Sequence, residues 1–146
     1  FEENGLADPL SHYVGFCGPS ASDTEERPQA GWPGISEGTI DPAAGFSQLF
    51  EPSVIPCTTV DGLVSYSTYA PNVITIDVEG AEVAVLTGAW DTLRDVRPEV
   101  FVSIHPTFLK EYDAMPGDVF RLLRDADYEC QVLAADHEIH LWATPL

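Results

Sequence analysis

Residues 73–86 read VITIDVEGAEVAVL, and this stretch decides the fold. Its opening run of β-branched and apolar residues is typical of a strand buried on both faces in a parallel sheet. A helical stretch opens at Gly80, and its apolar residues recur at spacings of three, four and three: Val83, Leu86, Trp90 and Leu93. That spacing predicts one apolar stripe facing a sheet, and Arg97-Pro98 is expected to end the helix.

The remaining C-terminal residues repeat this alternation of strand and helix. Residues 99–105 (EVFVSIH) predict a second buried strand, and Asp118 is a plausible N-cap for a helix that starts near residue 116. The apolar face of that helix consists of Val119, Leu122, Leu123 and Ala126. Residues 128–133 and 138–143 predict two strands that form an antiparallel hairpin, because their connection is short. The order predicts an α/β fold with a mainly parallel sheet and one antiparallel strand at the end.

The N-terminal part of the chain has a different character. Residues 18–56 contain six prolines and little periodicity, which predicts a long irregular excursion with at most a short element near 43–50. Short strands are predicted at 12–17 and 54–58, the second ending in a turn at Asp61-Gly62.

Composition excludes several classes of function. The 146 residues include 24 Asp+Glu and 6 Lys+Arg, for a formal net charge of −18. Binding to nucleic acid or to an anionic membrane needs clustered basic residues, and no apolar run approaches the roughly 20 residues of a membrane helix. Scattered carboxylates with a single lysine favour a salt-adapted protein, the alternative being an acidic mesophilic one. Three widely spaced cysteines favour a reduced, cytoplasmic location.

Two polar side chains stand at the predicted carboxyl ends of strands, where open α/β sheets bind ligands. They are Asp77 and His105, which are about 5 Å apart in strand spacing if the strands are neighbours. A carboxylate in an apolar strand is costly to bury unpaired, so Asp77 either faces a ligand or caps the following helix. For His105 the alternative is a buried histidine bonded to a carbonyl group.

Metal binding is not predicted. His137 and His140 of the HEIH run point to opposite faces of a strand, because side chains alternate along it. Asp77, Glu79 and Glu82 carry suitable oxygen ligands for a divalent cation, but Glu82 is expected to point away from the strand ends. The sequence also contains no Gly-x-Gly-x-x-Gly, P-loop or Gly-x-Ser-x-Gly motif.

Several motifs together resemble a known family. Thr59-Val60-Asp61, IDVEGAE at 76–82, VLTGA at 85–89, Arg97-Pro98 and Ile104-His105-Pro106 are similar to the signature of the FkbM family of S-adenosylmethionine-dependent methyltransferases. The resemblance implies a Rossmann-like class I methyltransferase sheet, with strands ordered 3-2-1-4-5-7-6 and strand 7 antiparallel. The chain departs from the family pattern at Thr75, usually Lys, and at Ser103, usually Glu.

The resemblance also implies that the chain is the C-terminal part of such a domain. We expect one partial methyltransferase domain over 1–146, with the end of a helix plus a strand at 1–17, the irregular excursion at 18–56 and the α/β core at 57–146. The Gly-rich cofactor loop and the ribose-binding acid of the family are not found. Without the strands that carry them, residues 73–77 would have an open edge, which predicts a homo-oligomer formed through that edge.

The function implied is methyl transfer from S-adenosylmethionine to a small-molecule, sugar or lipid hydroxyl. His105 is then the candidate base or substrate hydrogen-bond partner, and Asp77 is expected near the sulfonium, with Val78 also binding the cofactor. Glu79 and Asp61 are the candidate substrate-binding residues. Two alternatives stay open: a non-catalytic, acidic, oligomerising remnant of a methyltransferase, and a divalent-metal-dependent enzyme built on Asp77 and Glu79.

Overall fold

The structure is a computed structural model, and it describes residues 16–21, 57–67 and 70–146. In chain order its elements are β1 (Phe16–Cys17), β2 (Cys57–Thr58), α1 (Val60–Tyr66), β3 (Val73–Asp77), α2 (Glu82–Thr87), a π-helical turn (Thr92–Val96), β4 (Glu99–Ile104), α3 (Pro106–Leu109), a 3₁₀ turn (Lys110–Tyr112), α4 (Pro116–Asp125), β5 (Tyr128–Ala135) and β6 (Ile139–Pro145). The predictions for residues 1–15 and 22–56, which cover the helix end and most of the irregular excursion, lie outside the described residues.

Four strands form a mixed sheet in the order β3-β4-β6-β5. β3 and β4 are parallel, with Val73 opposite Glu99 and Asp77 opposite Ser103. β6 is antiparallel to both of its neighbours, so three strands run one way and one runs against them. The predicted α/β class, the hairpin and the single antiparallel strand are confirmed, and the carboxyl ends of β3 and β4 meet at one edge of the sheet.

A second, two-stranded sheet joins β1 to β2 in parallel. It packs against the end of α2 through a close approach of two backbones. A Cβ atom at Gly88 would collide with the carbonyl oxygen of Gly18, so only glycine fits there. The Gly88 carbonyl in turn accepts a hydrogen bond of 2.9 Å from the backbone N–H of Asp61.

The hydrophobic core lies on the face of the sheet that α2 and α4 cover. Alternate residues of β4 point into it, so Val100, Val102 and Ile104 are buried, while Glu99 and Phe101 are exposed on the other face. The prediction that the first two strands of this sheet are buried on both faces is therefore wrong for the described residues, because β3 and β4 each have one exposed face and only Ile76 of β3 is buried. The largest fully buried apolar side chains in the core are Leu86, Leu93, Ile104, Leu109, Leu123 and Leu141. Burying each such side chain stabilises the fold by about 1.5–3 kcal/mol. None of the helices in the described ranges is long and apolar enough to cross a membrane.

The predicted turn at Asp61-Gly62 is wrong, because both residues lie in the first turn of α1. The side chain of Thr59 accepts a hydrogen bond of 2.9 Å from the backbone N–H of Gly62 and caps this helix. An Asp-Gly pair favours a turn by itself, but here Thr59, three residues before Gly62, satisfies one of the N–H groups that the start of a helix leaves free.

The helix predicted from Gly80 to Arg97 is interrupted. α2 ends at Thr87, and helical structure resumes at Trp90 and continues as the π-helical turn. Arg97 ends it in the left-handed conformation, with φ of 58°, as the Arg97-Pro98 signal predicted. Leu86 and Leu93 of the predicted stripe are fully buried, but Val83 and Trp90 are only half-buried. The core face consists instead of Glu82, Val85, Leu86, Ala89 and Leu93.

The prediction that Asp118 is the N-cap of the helix near residue 116, which is α4, is wrong. The N-cap is Met115, and Asp118 lies in the first helical turn, where its carboxylate accepts a hydrogen bond of 2.9 Å from the Met115 N–H. Pro116 explains the difference, because a proline, which lacks an N–H, is well suited to the first helical position, and the N-cap therefore lies three residues before Asp118.

Candidate active site

The candidate site lies at the carboxyl ends of β3 and β4. Asp77 is the last residue of β3, and His105 directly follows β4. Because the two strands are parallel neighbours, His105 Nε2 lies 3.5 Å from Asp77 Oδ1. The Asp77 side chain is 71% exposed and that of His105 only 8%. The predicted juxtaposition of these two residues is therefore confirmed, with the imidazole inside and the carboxylate at the surface.

Beneath the imidazole lies a third group, the carboxylate of Glu82. This residue begins α2 and is fully buried, so the prediction that it points away from the strand ends is wrong. Glu82 Oε1 is 2.6 Å from His105 Nδ1 and also accepts hydrogen bonds from the backbone N–H groups of Gly80, at 3.1 Å, and of His105, at 3.3 Å. Among the described residues, Glu82 Oε2 has no hydrogen-bond partner.

A further carboxylate, Glu138, lies just before β6 and approaches three histidines. Its Oε1 is 3.6 Å from His105 Nε2 and 3.5 Å from His137 Nε2, and its Oε2 is 3.9 Å from His140 Nε2. The Oγ of Ser103 lies 3.2 Å from His140 Nδ1. His105 Nε2 therefore has a carboxylate on the β3 side and another on the β6 side.

The surroundings of His105 determine its charge. Burial lowers the pKa of the imidazole, but the hydrogen bond and the negative charge of Glu82 outweigh it, with the charges of Glu138 and Asp77 adding to the effect. The net result is a pKa above the usual 6.5. Histidine is the side chain whose ordinary pKa lies nearest to neutral pH, and a general base or acid needs a group of this kind.

The structure decides between the alternatives left open for Asp77 and His105. α2 has no side-chain N-cap, so Asp77 is not the cap of that helix. His105 is buried, but its ring nitrogen is paired with the Glu82 carboxylate and not with a carbonyl group.

The other predicted site residues lie apart from this cluster or at its margin. Asp61 accepts hydrogen bonds from the backbone N–H groups of Asp91, at 3.1 Å, and Thr92, at 2.7 Å, and so it fastens α1 to the helical turn after α2. Val78 is 36% exposed beside Asp77. Glu79 adopts a left-handed backbone conformation with φ of 47°. Their cofactor- and substrate-binding roles stay predictions.

No metal centre is seen in the part of the chain that the structure describes. Within residues 16–21, 57–67 and 70–146, no group of three or more His, Cys, Asp or Glu side chains has an arrangement able to hold a metal ion. That statement includes the HEIH run, where Glu138 lies between His137 and His140 as an ionic partner of both.

Sequence reasoning missed the two residues that complete the cluster. For Glu82 a signal was present: it lies three and four residues before Val85 and Leu86, which places it on the buried face of α2. For Glu138 the information is tertiary. Ile104 pairs with Ile139 across antiparallel strands, so the residue before Ile139 meets the residue after Ile104.

The comparison with protein-family models agrees with the motif resemblance. The model of the methyltransferase FkbM domain matches residues 4–130, which is most of the chain. Among solved structures, the crystal structure of methyltransferase FkbM from Methylobacillus flagellatus KT is similar, with 21% sequence identity and a TM-score of 0.43. The match covers 61% of this chain and 23% of the length of that chain. No curated protein matches. From the family model, we conclude that this chain belongs to the FkbM family of methyltransferases.

Proposed function

We propose that this protein binds S-adenosylmethionine and methylates a hydroxyl group of a small molecule, sugar or lipid, with His105 as the general base. The observation that carries the proposal is the position of His105 Nε2 at the carboxyl ends of β3 and β4, between Asp77 and Glu138, in a member of a methyltransferase family. The four strands would then belong to a wider Rossmann-like class I sheet. In support, the order β3-β4-β6-β5 with β6 antiparallel corresponds to the 4-5-7-6 half of that sheet.

The residues at the strand ends suit such a cofactor. S-adenosylmethionine supplies, when bound, an electrophilic methyl group on a positively charged sulfonium. The exposed Asp77 carboxylate and the neighbouring Glu138 make this edge negative, which favours a cation. Asp77 and Val78 are the residues that we assign to cofactor binding. Among the described residues, neither of these carboxylates forms a salt bridge with an arginine or lysine. The one such salt bridge joins Arg121 to Asp118 on α4.

His105 has the geometry required of a base. The hydroxyl proton of the acceptor goes to Nε2, and the Glu82 carboxylate on Nδ1 stabilises the resulting imidazolium. Holding the acceptor oxygen in line supplies much of the rate enhancement in a reaction of this kind. We assign that orienting role to Glu79, and to Asp61 only if its carboxylate is released from the amides of Asp91 and Thr92.

Calorimetric titration tests the cofactor assignment directly. The full chain, in molar KCl, is titrated with S-adenosylmethionine, and we expect a dissociation constant in the micromolar range. Asp77→Asn should weaken binding, whereas the matched control Glu99→Gln, which removes a charge at the opposite end of the sheet, should not. Absence of binding up to millimolar cofactor would contradict the proposal and favour the non-catalytic remnant.

A transfer assay tests the reaction. Radiolabelled methyl from S-adenosylmethionine is offered to a panel of sugars, lipids and small hydroxyl compounds, and His105→Gln serves as the negative control. We expect the variant to keep cofactor binding and to lose transfer. Equal transfer by both proteins would remove His105 from its assigned role, and transfer that depends on added divalent ions would favour the metal-dependent alternative.

We also propose a homo-oligomer formed through β3, in a salt-rich cytoplasm. In support, within the described residues β3 pairs with β4 on one side only, and Val73 on it is 50% exposed. With a net charge of −18, the carboxylates repel one another at low ionic strength, which destabilises both the folded chain and any assembly of it. Two measurements over a KCl series test these points. Light scattering should show an assembly larger than one chain, and thermal unfolding should show a melting temperature that rises with salt. A monomer at all salt concentrations would overturn the oligomer.

A further inference from the structure

We propose that Glu82 is a positioning residue, which holds the His105 ring with Nδ1 protonated and presents Nε2 at the strand ends as the proton acceptor. The expected effect on methyl transfer rests on the function proposed above. The tautomer and the protonation of the His105 ring do not depend on that function and are measured without turnover.

The first support is the bonding of Glu82 Oε1. This one oxygen lies close to three nitrogens: the backbone N of Gly80 at 3.1 Å, the backbone N of His105 at 3.3 Å and the ring Nδ1 of His105 at 2.6 Å. The two backbone groups are always donors, so Oε1 acts as an acceptor. Because the lone pairs of Oε1 face these nitrogens, it accepts from the third as well, and Nδ1 carries the proton of the pair.

The second support is the direction of the opposite ring nitrogen. With Nδ1 protonated, neutral His105 has its lone pair on Nε2. That nitrogen faces Asp77 Oδ1 at 3.5 Å and Glu138 Oε1 at 3.6 Å, both longer than a direct hydrogen bond. Nε2 is therefore available at the strand ends, while Nδ1 is committed to the protein interior.

The third support is the close packing of the segment that brings Glu82 to His105. Gly80 has φ of +111°, and a Cβ atom at this position would lie 2.9 Å from the backbone of Phe108 in α3. Only glycine combines that conformation with that closeness. The ring of Phe108 also lies 6.1 Å from the His105 ring, centroid to centroid. The loop before α2 and the segment after β4 are thus packed together around the Glu82 carboxylate.

The fourth support is the isolation of the carboxylate. Glu82 is fully buried, and in the described part of the chain Oε2 has no hydrogen-bond partner. A buried carboxylate of this kind is costly unless a positive or hydrogen-bonding group compensates for it. Burial raises the pKa of Tyr112, and the charge of Glu82 adds to the effect. Among the described residues, His105 is the one side chain able to carry a positive charge that forms an ion pair with Glu82. Protonation of His105 therefore completes the pair.

Nuclear magnetic resonance of the full chain tests the inference. Long-range ¹H–¹⁵N correlation spectra of His105 distinguish its tautomers, and a titration from acid to alkaline pH follows its protonation. In the wild type we expect the Nδ1–H tautomer in the neutral form and a pKa above 6.5. Observation of the Nε2–H tautomer in the wild type would overturn the inference without any variant.

Two variants and a control extend the test. Glu82→Gln keeps an acceptor for the backbone N–H groups and removes the charge, and it should lower the His105 pKa by about one unit or more. Glu82→Leu removes the acceptor and should give a mixture of tautomers. Glu99→Gln, which removes a carboxylate at the far end of β4, should leave both properties unchanged. An unchanged His105 pKa in folded Glu82→Gln would contradict the proposal.

The methyl-transfer assay adds a readout that a merely structural role would not move. In Glu82→Gln we expect kcat to fall with little change in KM, and the acidic limb of the kcat profile to move to lower pH by the same shift as the His105 titration. A loss of kcat with no movement of that limb would contradict positioning. If the chain transfers no methyl group at all, the proposed function fails, while the tautomer and the titration still decide the role of Glu82.

Discussion

The two ends of the four-stranded sheet treat their polar groups in opposite ways. At the amino end of β4, the Tyr128 hydroxyl lies 2.8 Å from the Pro98 carbonyl oxygen and 3.2 Å from that of Leu93, and Arg97 donates to the Leu146 carbonyl at 2.8 Å. At the carboxyl end, His105 is surrounded by the carboxylates of Asp77, Glu82 and Glu138.

This difference separates a structural end from a chemical end. The Tyr128 hydroxyl satisfies buried carbonyl groups and the Arg97 guanidinium an exposed one, so these donors stabilise the fold and leave no reactive group. An imidazole between carboxylates keeps an exchangeable proton and a nitrogen that faces outward, which is what a functional site requires. Substitutions at the two ends should therefore affect different properties.

The largest effect is expected at the chemical end. His105→Gln keeps a donor for Glu82 but removes the basic nitrogen, and methyl transfer should fall by about 10²–10⁴-fold. The measurement is the initial rate of labelled methyl transfer, with circular dichroism to verify folding. Tyr128→Phe serves as the comparison and should keep its rate at a temperature where it is folded. A rate for His105→Gln within a few-fold of the wild-type rate would show that the carboxyl end of the sheet is not the site of the chemistry.

The next effect belongs to the structural end. Tyr128→Phe leaves two buried carbonyl oxygens without their hydroxyl partner, and the free energy of unfolding should decrease by about 1–3 kcal/mol. Urea unfolding in molar KCl measures it. Tyr66→Phe makes the same chemical change at a side chain that is 93% exposed, so its effect should stay within about 0.5 kcal/mol. Equal effects of the two substitutions would show that the Tyr128 hydroxyl is not needed for stability.

The free energy of unfolding should depend on pH differently at the two ends. Each unit of pKa shift between the unfolded and folded states contributes about 1.4 kcal/mol to it. The pKa of His105 is raised, so its protonation stabilises the fold fully below pH 6.5, and this contribution is lost as pH rises through the folded pKa. Burial raises the pKa of Tyr128, although the Arg97 charge opposes this, so its contribution is lost only above pH 10. Unfolding free energies at several pH values test this, and His105→Gln should remove the first transition only.

The smallest effect is expected for Asp77→Asn. Asp77 contributes least of the three carboxylates to the raised pKa of His105, and its side chain is 71% exposed. The His105 pKa should therefore fall less than in Glu82→Gln, and the difference from wild type should shrink as KCl is increased, because salt screens exposed charges. Nuclear magnetic resonance titrations at low and molar salt measure it. A larger shift than in Glu82→Gln would place the main electrostatic partner at the surface.

Much of the fold was predictable because its signals are local. β-branched runs at 73–77 and 99–104 predict strands whatever surrounds them, and the short link between β5 and β6 permits only a hairpin. Two of the failures, at Asp61-Gly62 and Asp118, were also local. In both, a neighbouring Thr59 or Pro116 changed where the helix begins.

The sequence by itself determined the α/β class, the family, and the meeting of Asp77 and His105, since parallel strands that end in polar residues bring them to one edge. Only the tertiary structure decided what surrounds the imidazole. The buried face of α2 directs Glu82 onto Nδ1, and the register of β4 with β6 brings Glu138 toward Nε2. Those contacts join residues far apart in the chain, and packing geometry, which no local pattern encodes, sets their distances.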